Sequence, residues 1–114
     1  MKAILRALKK IKANFRESGF ELGSIILIPD GSEVSEERLA RDAKLGGFDT
    51  NNVDIDYKFN HLLDACKEAS IDCIDFRSQL SADDYYVFDG HFRPSGVTAM
   101  SNAFVSSKYN KNFN

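Results

Sequence analysis

Ser24-Ile25-Ile26-Leu27-Ile28-Pro29-Asp30-Gly31-Ser32 is the stretch that decides the fold. Four consecutive apolar residues closed by a Pro-Asp-Gly-Ser turn form a strand-sized run with no alternation of polar and apolar positions. Such a run fits a strand covered on both faces in a parallel sheet better than an alternating strand with one wet face. A second short run, Ile71 to Phe76, reads as its partner. Between and around them the spacing is helical.

Upstream, Ile4, Leu5, Leu8, Ile11 and Phe15 repeat with a helical period over Lys2 to Ser18, and Gly19-Phe20 supplies a C-terminal stop with a hydrophobic contact. Six basic residues (Lys2, Arg6, Lys9, Lys10, Lys12, Arg16) make the outer face of this helix positive. That face is read first as solvated, with an anionic surface as the competing reading. Downstream, a polar helix of about Ser35 to Leu45 stops at Gly46-Gly47. Asp49 to Asn52 is a loop and cap. The spacing then predicts a helix over Val53 to Ala69, with Ile55, Phe59, Leu62, Leu63 and Cys66 on one face. Ser78 to Tyr86 is a polar connection with room for one helical turn. Pro94 suits the first turn of a last helix carrying Val97, Met100, Ala103 and Phe104 on one face.

The order helix, strand, helix, helix, strand, helix implies α/β architecture with parallel pairing. Residues 1–105 are expected to form a single domain, which the two short strands leave incomplete, and residues 106–114 a polar C-terminal tail. Two parallel strands leave two open edges, so the run at Ile25 to Ile28 calls for neighbours that the chain does not provide.

The 114 residues are 43% hydrophobic and 28% charged with a net charge of −2, an ordinary soluble composition. That charge argues against a nucleic-acid partner. No apolar run approaches the roughly 18 residues a membrane span needs, so a membrane partner is not expected. The N-terminus lacks the apolar core of a signal peptide, which makes the cytoplasm the default compartment. Cys66 and Cys73 have no metal-knuckle spacing and are read as two reduced, mostly buried thiols. Neither they nor His61 and His91 form a ligand cluster, so no metal and no cofactor is expected.

One motif carries chemistry: Phe88-Asp89-Gly90-His91-Phe92-Arg93-Pro94-Ser95-Gly96. A histidine beside a carboxylate, at a turn running into a helix, is how a hydrolase presents its general base. The carboxylate fixes the imidazole tautomer and stabilises the imidazolium formed when the base takes a proton. Asp89 and His91 are therefore the candidate catalytic residues, against the competing reading of a surface Asp-Gly turn with a half-buried histidine. Phe88 and Phe92 are expected to anchor that turn in the core. Ser95 reads as a helix cap before it reads as a nucleophile. His61 reads as a surface residue, and Asp83-Asp84-Tyr85-Tyr86 as a polar loop, with cation or sugar contact as the alternative.

These residues resemble the SGNH (GDSL-like) hydrolases, esterases and acyltransferases on a flavodoxin-like three-layer α/β/α sandwich. The resemblance covers most of the chain. Its strongest part is Asp89 to Gly96, which looks like the family's last motif. Ile28-Pro29, the helix to Ala69 and Ile71-Asp72-Cys73-Ile74-Asp75 resemble the approach to it. The family's commoner spacing is Asp-x-x-His, and position 88, where that Asp would fall, is Phe. The shorter spacing resembles that of bacterial members that acetylate or deacetylate surface polysaccharides. The family's Gly-Asp-Ser block and its oxyanion Gly and Asn do not appear before Ile25; Gly23-Ser24 precedes the strand, and Asp30-Gly31-Ser32 has the wrong order.

The resemblance thus implies the C-terminal half of an SGNH fold, with His91 as base and Asp89 as its support. The implied substrate is an ester, expected as an O-acyl carbohydrate, and no cofactor is implied. The alternative is a non-catalytic fragment or interaction module that completes its sheet with an N-terminal partner segment or as a homo-oligomer. Family members acting on surface polysaccharides are often exported.

Overall fold

The computed structural model describes residues 2–107. The expected polar tail, apart from Ser106 and Ser107, lies outside the described residues. The protein is mixed α/β and divides into two compact units. The first is built from the described residues of Met1–Leu27 and Asp56–Asp75, the second from those of Ile28–Ile55 and Phe76–Asn114.

The first unit holds α1 (Lys2–Glu17), β1 (Ser24–Leu27), α4 (Tyr57–Glu68) and β2 (Asp72–Asp75). α1 ends as its sequence predicts. Gly19 takes φ +81°, and the Phe20 N–H donates to the Phe15 carbonyl at 2.9 Å while Gly19 donates to Arg16 at 3.0 Å. These are the paired bonds that satisfy carbonyls at a helix terminus. α4 ends in the same way, but with serine in the left-handed position: Ser70 has φ 55°, Ile71 donates to Cys66 at 2.9 Å and Ser70 donates to Lys67 at 3.1 Å. Lys12 of α1 adds its ammonium, donating to the carbonyls of Ala69 at 3.3 Å and Ser70 at 2.9 Å. A cation at the last carbonyls complements the negative end of the helix dipole.

That reversal carries the chain into β2, which pairs with β1 in parallel in the register Ser24↔Asp72, Ile25↔Cys73, Ile26↔Ile74, Leu27↔Asp75. Leu8, Ala65, Cys66, Ala69 and Ile71 form the core of the unit, with Leu5, Leu22, Ile25 and Cys73 packed against it.

Three expectations are corrected here. β1 is not buried on both faces: Ile26 is exposed and its other residues are half-buried, because the sheet has two strands and β1 is one of its edges. The predicted helix over Val53 to Ala69 starts later, at Tyr57, since Val53 and Asp54 are irregular, Ile55 and Asp56 form a turn, and the Asp56 side chain makes no capping bond. The cysteines are not reduced thiols; Cys66 and Cys73 are joined in a disulfide. The left-handed reversal at Ser70 brings the Cα atoms of the α4 and β2 cysteines to 6.0 Å, within bonding range.

The second unit holds α2 (Gly31–Val34), α3 (Glu36–Gly46), two single 3-10 turns (Arg77–Gln79 and Ala82–Asp84) and α5 (Pro94–Ser106). The Pro-Asp-Gly-Ser turn is itself the start of a helix. Asp30 accepts from the Ser32 N–H at 3.1 Å, and the Glu33 carboxylate accepts from the Asp30 N–H at 2.7 Å, a reciprocal cap. Ser35 caps α3 by accepting from the Arg38 N–H at 3.1 Å, and Gly47 closes it with φ +73°. α5 starts with Pro94 in its first turn, as expected, and its N-cap is Arg93. Ser95 therefore sits inside the first turn and is not the cap.

Candidate functional site

The Asp89–His91 turn is carried by a small antiparallel closure in the second unit. Arg93 donates to the Asp84 carbonyl at 2.8 Å, Tyr85 and Phe92 form a bridge, and Tyr86 donates to the His91 carbonyl at 3.2 Å. Residues 87–90 are the loop this closure leaves. Within the loop the Asp89 N–H reaches back to the Tyr86 carbonyl at 3.4 Å.

The closure is held from below by Tyr85. Its side chain is 2% exposed, and its hydroxyl donates to the Pro29 carbonyl at 2.9 Å. The Phe92 ring packs against it at 5.0 Å. Burial raises the Tyr85 phenol well above its ordinary pKa, helped by the nearby carboxylates of Asp30, Glu33 and Asp84. It therefore stays protonated and donating. Asp84 serves the same frame: its carboxylate accepts from the Ser81 N–H at 2.9 Å and fixes the 3-10 turn. The Asp-Asp-Tyr-Tyr stretch is thus structural at Asp84 and Tyr85, while Tyr86 is exposed.

Gly96 lets α5 approach this frame. A β-carbon there would lie 2.5 Å from the Asp84 carbonyl oxygen and 2.8 Å from Cδ1 of Phe92. Phe92 is half-buried against Tyr85, but Phe88 is 84% exposed. The expectation that Phe88 anchors the turn in the core is overturned. It sits in the loop beyond the closure, with the Arg41 guanidinium 5.5 Å from its ring centre.

A second support is Arg38 of α3. Its side chain is 6% exposed, its Nη2 donates to the Asp89 carbonyl at 2.8 Å, and its guanidinium lies 5.5 Å from the centre of the Tyr85 ring. On the same side, Asp30 crowds Gly90, where a β-carbon would fall 2.5 Å from Oδ2.

The structure brings the two candidate residues together. The Asp89 carboxylate accepts the His91 backbone N–H at 2.8 Å, and the same Oδ1 is in short contact with His91 Nδ1. These two bonds, the backbone one first, hold the Asp89 carboxyl below its ordinary pKa. With an ionised acceptor at Nδ1, that nitrogen carries the proton and Nε2 is left as the basic atom. The pair is open to solvent, the His91 side chain 88% exposed and that of Asp89 55%. The geometry supplies an oriented imidazole at the surface. Among the described residues no group of three or more His, Cys, Asp or Glu side chains is placed to hold a metal ion, and no helix is long and apolar enough to cross a membrane.

His61, expected at the surface, is half-buried; its Nδ1 lies 2.8 Å from the Tyr57 carbonyl and its ring 4.0 Å from the Tyr57 ring. The residues missed by sequence reading are Tyr85 and Arg38. Tyr85 carries no visible period in a polar stretch. Arg38 follows Glu36-Glu37 in a charged helix and looks like any solvated arginine.

No family model, curated protein or solved structure matches this chain.

Proposed function

We propose that Asp89 and His91 form the carboxylate–imidazole base of an SGNH-type esterase or acyltransferase, acting on an ester with O-acyl carbohydrate as the substrate class. The observation that carries this reading is that one Asp89 oxygen engages both the His91 N–H and Nδ1. A carboxylate used in this way fixes the ring and presents Nε2 outward to take a proton from a serine hydroxyl. The fold expected with this function is the flavodoxin-like sandwich, of which the parallel β1–β2 pair would form part. The serine and its oxyanion donors come from a complementing polypeptide segment, as the missing Gly-Asp-Ser block requires. The Cys66–Cys73 disulfide suits an exported protein working on surface polysaccharide, since disulfides persist in oxidising compartments.

The test is hydrolysis of p-nitrophenyl acetate by the chain together with a complementing segment that carries the Gly-Asp-Ser block, beside the same pair with His91→Ala or Asp89→Asn in the chain. Turnover that falls at least about tenfold in His91→Ala, within the range of a positioned general base, supports the assignment. Turnover that is the same in wild type and His91→Ala counts against it.

A second reading is favoured by the edge of β1. Ile26 is 37% exposed and Ile28, just beyond the strand, is 62% exposed. An open apolar strand edge is a template for another strand. In this reading the chain is an interaction module that self-associates through β1. Size-exclusion chromatography with light scattering decides it. A dimer that dissociates on dilution supports the module, whereas a monomer with a cooperative melt at all concentrations opposes it.

A further inference from the structure

Three guanidinium groups meet around one cavity of the second unit. Arg38 and Arg41 come from α3 and Arg93 from the residue preceding α5; with Glu37, Asp83 and Tyr85 they line a space of about 320 Å³. Three cations against two carboxylates make this lining positive on a chain whose net charge is −2. Asp42, bonded to Arg41 and 3.6 Å from Arg38 Nε, takes up part of this excess, but guanidinium N–H groups are left over. Arg38 is 6% exposed and spends Nη2 on the Asp89 carbonyl, but its Nη1 has no hydrogen-bond partner and its Nε stays 3.6 Å from Asp42 Oδ2. Arg41 spends Nε and Nη2 on Asp42 Oδ1, at 3.1 and 2.8 Å, and keeps Nη1. Arg93 makes no side-chain ion pair among the described residues.

A buried guanidinium with unmet N–H groups is costly, and an anion nearby offsets that cost. Guanidinium also matches the planar, two-oxygen face of carboxylate and phosphate. We propose that this cavity is an anion site that takes the carboxylate or phosphate group of a small molecule. Arg41 and Arg93 supply the outward donors, and Arg38 supplies a fixed charge beneath them that water cannot screen. The proposal goes beyond the Asp89–His91 reading and does not depend on it, because binding can be read without any turnover.

The experiment is a ¹H–¹⁵N NMR titration of the full chain with inorganic phosphate and, separately, with acetate, against chloride at matched ionic strength. Saturable shifts centred on the amides of residues 38–41 and 93 are expected with at least one of the two oxyanions and not with chloride. Saturation by phosphate alone assigns a phosphate group; saturation by acetate as well admits a carboxylate. Arg93→Ala, a change at an exposed side chain, should weaken binding about tenfold by removing one charge-assisted donor. Asp83→Asn should tighten it about threefold by removing a repelling carboxylate. Opposite movements in these two variants exclude a general loss of folding as the cause. Shifts with both oxyanions that are linear and equal to those of chloride, or an unchanged affinity in Arg93→Ala, would overturn the proposal.

Discussion

Arg38 Nη2 donates to the main-chain carbonyl of Asp89 at 2.8 Å, so a buried side chain of α3 grips the backbone of the turn that carries the acid–base pair. The contact is to an oxygen every residue has. No side-chain pattern at position 89 announces it. Arg38→Met should lower stability by about 2 kcal/mol, the scale of a charge-assisted hydrogen bond. Arg38→Lys should recover little, since an ammonium cannot reproduce the flat guanidinium against the Tyr85 ring. Urea denaturation of the three proteins measures both. Equal midpoints would contradict the role assigned to Arg38.

Tyr85 makes a prediction at alkaline pH. Its phenol is raised in the folded state, chiefly by burial, so on raising the pH the unfolded chain loses this proton first. Stability is therefore unaffected by Tyr85 below about pH 10, the ordinary tyrosine value, and falls as the pH rises above it. Tyr85→Phe should be less stable at neutral pH by about 1 kcal/mol, because the Pro29 carbonyl loses its donor, and should show a flatter alkaline limb. Thermal melts between neutral pH and about pH 11 test the sign. A steeper limb in the variant would refute it.

At Gly96 the neighbour is backbone, so nothing flexible can give way. Gly96→Ala should destabilise the protein by about 1–3 kcal/mol despite alanine's better helix propensity. A melting temperature that rises in the variant would mean that α5 does not approach Asp84 as described.

The Cys66–Cys73 bond closes a short loop, with a sequence separation of 7. Constraining a loop of that size is worth about 2.5 kcal/mol in the chain-entropy account. Adding dithiothreitol should lower the urea midpoint of the wild type accordingly, and should leave a Cys66→Ala/Cys73→Ala variant unmoved. Equal responses would show that the two sulfurs are not joined.

What the sequence made legible follows from where the determining forces act. Periodicity located α1 and α5, although Ile4, Ile11 and Phe15 of the α1 stripe and Val97 of α5 are exposed, and the boundaries Pro29 to Ser32 and Gly46-Gly47 located α3. Gly19, Gly47 and Pro94 marked terminations and starts through local backbone preference. The Asp89-Gly90-His91 pairing was visible since both partners lie within three residues. Pro94-Ser95-Gly96 was visible as a motif, but its steric reason, the Asp84 carbonyl, lies across the fold. Tyr85 to Pro29, Arg38 to Asp89 and Cys66 to Cys73 are pairs made by chain reversals, and no spacing rule reaches them. Ile25 to Ile28 misled for the opposite reason: its composition is that of a central strand, yet its only partner among the described residues is β2.

Asp89, bonded to both the backbone N–H and Nδ1 of His91, is the group that sets the tautomer of the ring. The direct measurement is the ¹⁵N spectrum of the neutral His91 imidazole, recorded for wild type and Asp89→Asn. Wild-type His91 is expected to carry its proton on Nδ1 with Nε2 bare, and this preference is expected to be lost in Asp89→Asn. A wild-type ring protonated on Nε2, or spectra identical in the two proteins, would contradict it.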